Sequence, residues 1–160
     1  MRYDPPAFAQ IVIDRRGPSA LSPHPAGVAW QGILVAAPTT VFFRAGSPLV
    51  VPVAVTIQLE VPPRPTRERV SATVTDESTG QSQREPIEPI VDNESELTGQ
   101  DDVPARPPRR PPGQQLATTY LHPDLAAHLT IPARPGRYRV VVQFRGHASA
   151  PHVITLAPEP

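Results

Sequence analysis

The sequence predicts an all-β domain, on three observations. Two runs, 50–61 and 137–144, alternate apolar and polar residues with a period of two, the spacing of strands with one buried face. Clusters of Gly, Pro, Ser and Asp separate the apolar runs at short intervals, as turns do. The 24 Pro in 160 residues are about three times ordinary usage, and proline both removes a backbone donor and clashes with a preceding helical turn. One domain is expected at this length, burying roughly two-thirds of its unfolded surface.

Residues 1–39 read as a loosely held N-terminal arm, with one strand over 8–14 and a Pro-rich stretch at 18–25. The sandwich proper is expected over 40–157. Thr40 to Arg44 reads as a strand closed by the turn Ala45-Gly46-Ser47-Pro48. In the run 50–61, Val51, Val53, Val55, Ile57, Leu59 and Val61 fall on an inward face, and Pro52, Ala54, Thr56, Gln58 and Glu60 on an outward one. Pro52 cannot donate to a ladder and belongs near the strand start or on an edge. Val70, Ala72 and Val74 point inward in the next strand, which ends at the turn cluster 76–80. Ile87, Ile90 and Val91 suit a short edge strand. Pro123 fits the first position of a single helical turn in which Leu125 and Leu129 are i,i+4 partners. Tyr138, Val140, Val142 and Phe144 face inward in the last long strand, the chain turns at 145–149, and 152–156 pairs back as a hairpin.

Residues 92–113 differ in character. Between Glu85 and Asp102 there are seven acids and no base, and Arg106, Arg109 and Arg110 follow among five prolines. Low hydrophobicity, segregated charge and proline cannot offset the entropy of ordering, so a long, disordered acidic and Pro-rich insertion is expected here.

Composition excludes several chemistries. There is no Cys, hence no disulfide, thiolate metal site or Cys nucleophile. All 15 basic residues are Arg, so Schiff-base chemistry and the lysine-bearing phosphate loop are excluded as well. A net charge of zero argues against a nucleic-acid binder. No run approaches the ~18–20 apolar residues of a membrane span, and the start shows no secretory n-region and apolar core, so a cytoplasmic location is expected. The nucleophile elbow of hydrolases and the paired-histidine metalloprotease helix are absent from the sequence. A non-enzyme without a cofactor is the expectation.

The segment 129–140, with an apolar strand end at Leu129 and Ile131, the turn Pro135-Gly136 and Tyr138 opening the next strand, resembles the corner between the fifth and sixth strands of immunoglobulin-like and fibronectin type III-like sandwiches. The resemblance implies a Greek-key β-sandwich of about seven strands in which the Tyr138 hydroxyl reaches a backbone carbonyl upstream. Val140 stands where antibody domains carry a cysteine, so the resemblance is architectural and implies no activity.

Three groups of residues carry candidate function. His122, Asp124 and His128 hold imidazole and carboxylate donors of the kind that bind zinc or copper, against the simpler reading of surface loop side chains. Arg106, Pro107, Arg109 and Arg110 lie in a Pro-x-x-Pro-x-Arg context suited to polyproline docking, or to a spacer. Arg137, Arg139 and Arg145 line the outward face of one strand, where they guard against edge pairing or meet an acidic partner, the 85–102 acids included. The function expected is a structural or protein-interaction module, an accessory subunit of a larger assembly, with homo-oligomerisation compatible. A metal-binding chaperone and a carbohydrate-binding sandwich are the alternatives.

Overall fold

The computed structural model describes residues 1–62, 64, 67–88 and 115–160. The expected insertion at 92–113, with Arg106, Pro107, Arg109 and Arg110, lies outside the described residues, as do Ile90 and Val91. The described residues are all-β and build two sheets. The larger, of seven strands, runs β1 (Arg2–Asp4), β3 (Thr40–Phe43), β10 (His152–Pro158), β8 (Gly136–Phe144), β5 (Ser71–Asp76), β6 (Ser82–Pro86), with β9 (His147–Ala148) paired to β8. The smaller runs β2 (Gly32–Ala36), β4 (Ala54–Glu60), β7 (Leu116–Leu121). Buried side chains of both sheets, Val55 and Ile57 from β4 with Val74, Val140 and Val142 from β5 and β8, belong to one apolar cluster. This arrangement is compatible with a sandwich.

The C-terminal hairpin is where period two predicted it. Tyr138, Val140 and Val142 are buried while Arg137 and Arg139 are exposed, and β10 pairs antiparallel with β8, Ile154 opposite Tyr138. The turn from β8 to β9 has positive φ at both central residues, 50° at Arg145 and 77° at Gly146, the backbone a two-residue hairpin with right-handed strand twist requires. Arg145 therefore leaves the strand and does not continue the row of Arg137 and Arg139.

Two expectations are corrected. The segment 8–14 is not a strand. Residues Pro6–Gln10 form a 3₁₀ turn with Phe8 buried, and Ile11 packs three residues on. Proline at the first helical position and an apolar spacing of three favour a turn over a strand. Strand pairing in this part of the chain comes instead from β1 and β2.

The outward face of β4 is not solvated either, since Ala54 and Thr56 are fully buried and Gln58 nearly so. The N-terminal arm lies over it. Thr56 Oγ1 donates to Pro23 O at 2.8 Å, and Gln58 Nε2 donates to Gly27 O at 3.1 Å and Trp30 O at 2.8 Å, while Gln58 Oε1 accepts from Thr118 Oγ1 at 2.9 Å. These polar side chains read as solvent-facing because their partners are backbone carbonyls, which leave no side-chain pattern. Trp30 then packs on Gly32, where a Cβ would fall 2.8 Å from the indole ring.

Pro52 falls before β4, as its missing donor demands. The helical turn is α1 (Leu125–His128), with Asp124 as its cap, so Pro123 precedes the cap instead of opening the helix.

Candidate interaction surface

The outer face of the large sheet carries the arginines. Alternation puts Arg137 and Arg139 of β8 outward, and Arg84 of β6 joins them because its register partner Thr73 lies opposite Val141. Their counter-charge comes from the turn between β5 and β6. Glu77 Oε2 lies 3.5 Å from Arg137 Nε and Glu77 Oε1 3.4 Å from Arg139 Nη2, while on the inner side of the sheet Asp76 Oδ2 lies 3.7 Å from Arg134 Nη2. The three guanidinium side chains stay 63%, 63% and 56% exposed for Arg134, Arg137 and Arg139. Pairs this long and this exposed stabilise the fold little. They leave Arg137 and Arg139 able to exchange Glu77 for another acid.

Arg145 is placed elsewhere. Its Nη1 donates to Glu60 O at 2.9 Å, its backbone N–H to Glu68 Oε1 at 3.1 Å, and its guanidinium lies 5.7 Å from the Phe144 ring. That arginine ties the β8–β9 turn to the end of β4.

Asp76 caps its own turn, Oδ1 accepting from Ser78 Oγ at 2.7 Å and from Ser78 N at 2.9 Å. These bonds, the hydroxyl's first, with Arg134 adding less, hold the Asp76 carboxyl below its usual range. On the inner side of the same sheet, Asp76 is the register partner of Tyr138. The Tyr138 ring lies against Gly136 and lines a cavity of about 290 Å³ between the sheet and the loop after α1. The phenol that donates to a backbone carbonyl is Tyr3, at 3.2 Å from Val50 O.

The structure gives the candidate metal donors other work. His122 is 1% exposed. Its Nδ1 is 3.0 Å from Arg15 O, and because a carbonyl only accepts, that nitrogen carries the proton. Nε2 then accepts from Ser19 Oγ at 2.9 Å, with Ser22 Oγ at 3.3 Å. Asp124 Oδ1 accepts from Val51 N at 2.8 Å and Ala126 N at 3.0 Å. His128 closes the last turn of α1. Among the described residues no three His, Cys, Asp or Glu side chains gather around a point where an ion would sit. Sequence spacing alone could not show that His122 turns toward the arm, a hundred residues away along the chain.

Three groups give the fold a pH dependence below neutrality. Burial holds His152 below its ordinary value of 6.5, so the unfolded chain takes up that proton first. Stability from this group is complete above pH 6.5 and falls as pH drops through that value, levelling off below the lower folded value. Asp76 and Glu159, the latter held low first by its hydrogen bond to the N-terminal amine and then by Arg44, act further down, their contributions present above 3.8 and 4.5 and lost as pH falls from there through their depressed values. Urea unfolding as a function of pH should show both steps. The upper should vanish in His152→Asn, and the lower should shrink in Asp76→Asn and in Glu159→Gln and vanish only in the double variant.

Comparison with protein families, with curated proteins and with solved structures returns no match for the chain.

Proposed function

We propose that the chain is a non-catalytic protein-interaction module that docks an acidic partner segment on the outer face of its large sheet. The observation that carries this is the pair Arg137 and Arg139, each more than half exposed and held at 3.4–3.5 Å by one shared acid, Glu77. With Arg84 on the same face, three positive charges stand against Glu77, so the patch is basic although the whole chain is neutral. A flat sheet face bearing planar guanidiniums suits bidentate pairing with carboxylates, and an excess of one sign steers encounter more than it tightens the complex. Arg106, Pro107, Arg109 and Arg110 extend the same basic, docking-prone chemistry along the chain.

An immunoglobulin-like Greek-key sandwich is the finer fold reading that accompanies this function. It is supported by the strand orders. The sequence β2-β4-β7 corresponds to the first, second and fifth strands of that fold, and β10-β8-β5 to its seventh, sixth and third.

The test is binding of a fluorescent Glu-rich peptide to the full chain at low and at raised salt. Affinity should fall steeply with salt, and Arg137→Glu with Arg139→Glu should weaken it by roughly a hundredfold, two charge-assisted contacts being lost and two repulsions gained. Binding that ignores both salt and the double substitution would refute the proposal.

A further inference from the structure

The cavity beneath Tyr138 is separate from the arginine face, on the inner side of the same sheet, and nothing in the reading above uses it. Its floor is β5 and β8, where Asp76 stands opposite Tyr138 and Val74 opposite Val140. Its roof is the loop after α1, pinned to the edge strand by a reciprocal amide contact. Gln83 Nε2 donates to Thr130 O at 2.6 Å, and Gln83 Oε1 accepts from Thr130 N at 2.8 Å. The half-open cavity of about 290 Å³ lies at the lower end for ligand pockets, enough for one ring and too little for a chain.

The lining fixes the ligand's charge and polarity. Asp76 and Arg134 sit 3.7 Å apart across it, so their charges cancel within the site and a charged ligand would be repelled by one of them. Together with the Gln81 amide and the Tyr138 phenol they offer donors and acceptors in comparable number, three of them planar groups able to take two hydroxyls at once. Val74, Pro132 and the Tyr138 ring supply apolar surface beside them. We propose that this corner cavity binds a neutral, hydroxyl-rich ring, the pyranose unit of a carbohydrate, with Asp76 and Arg134 holding neighbouring hydroxyls. The shared chemistry is the vicinal diol, which a free monosaccharide and the end of an oligosaccharide both present.

Titration of the ¹⁵N-labelled full chain with glucose, galactose, mannose and N-acetylglucosamine, beside an oligosaccharide array, tests the proposal and separates the two sources. Amide shifts confined to 74–83 and 130–138 are expected with at least one probe. A response to free sugars identifies a monosaccharide site, and a response on the array alone identifies a chain end. Tyr138→Phe keeps the ring, and Arg134→Ala alters an exposed side chain, so both variants should fold. Each should weaken binding roughly tenfold, as expected for one lost hydrogen bond of mixed or charged character. No response to any probe, or a response that both variants leave unchanged, overturns it.

Discussion

Gln58→Leu is expected to lower stability by about 2–4 kcal/mol and to loosen the N-terminal arm, because the change keeps the side chain's volume and removes only its polar atoms. The amide nitrogen serves two carbonyls, Gly27 O and Trp30 O, and the amide oxygen serves the Thr118 hydroxyl. All three partners would be left beside an apolar group with their hydrogen bonds unmade. Gln58 is 7% exposed, so water cannot replace the amide without opening the arm. His122→Ala attacks the same arm at its other end, releasing Arg15 O and the hydroxyls of Ser19 and Ser22. Each substitution alone detaches a segment that the other residue also holds. The double variant should therefore cost less than the sum of the singles, the signature of one cooperative unit. Arg15 and Arg16 lie in the arm and offer a direct readout by trypsin, whose nicking there should quicken in both variants. Stabilities within about 0.5 kcal/mol of the parent, with unchanged nicking, would show that the arm is fastened by something else.

Which parts of this structure were legible in the sequence follows from where the partners lie. The β8–β10 hairpin was legible because both determinants are local: period-two burial through Tyr138, Val140 and Val142, and a turn whose Gly146 tolerates positive φ. The inward face of β4 was legible for the same reason from Val51 to Leu59, whereas Val61, read as inward, lies past the strand end and is exposed. Its outward face was misjudged because Thr56 and Gln58 satisfy backbone carbonyls some thirty residues earlier in the chain, and carbonyls carry no residue code. Phe8 misled in the opposite way. Its partly buried neighbour Ile11 follows at a spacing of three, yet the short run allowed a strand reading. At the surface, Arg137 and Arg139 were placed outward by alternation alone. Their counter-ion among the described residues is Glu77, in the turn that follows β5, and most of the acids at 85–102 lie outside the described residues. The β5–β8 register sets Asp76 opposite Tyr138, which is why the corner cavity left no trace in the sequence.

The turn after β7 carries the second large effect. Leu125 is fully buried, its N–H donates to Val51 O at 3.0 Å, and Val53 N donates to Pro123 O at 3.2 Å, so residues 123–125 run as a short extension of the β4 entry. Leu125→Ala should cost about 2–5 kcal/mol, the lost transfer energy plus the cavity left in a core that cannot fully collapse. A chain of this size loses roughly 2–4 °C of Tm per kcal/mol, so the midpoint should drop by about 5–20 °C. Asp124 separates a capping role from a metal-binding one at the same position. If the carboxylate serves as an acceptor for Val51 N and Ala126 N, Asp124→Asn keeps an oxygen there and stays close to the parent in stability. Asp124→Ala removes it and should cost about 1–3 kcal/mol, a lost cap together with an unmet donor at Val51. A role in holding zinc or copper would reverse the diagnostic. Asparagine and alanine would then be equally damaging, and the parent alone would gain stability on addition of the ion, because binding to the folded state only must raise its melting point. Thermal melts of the three proteins with and without added zinc therefore decide between a residue that closes a helix and one that awaits a metal.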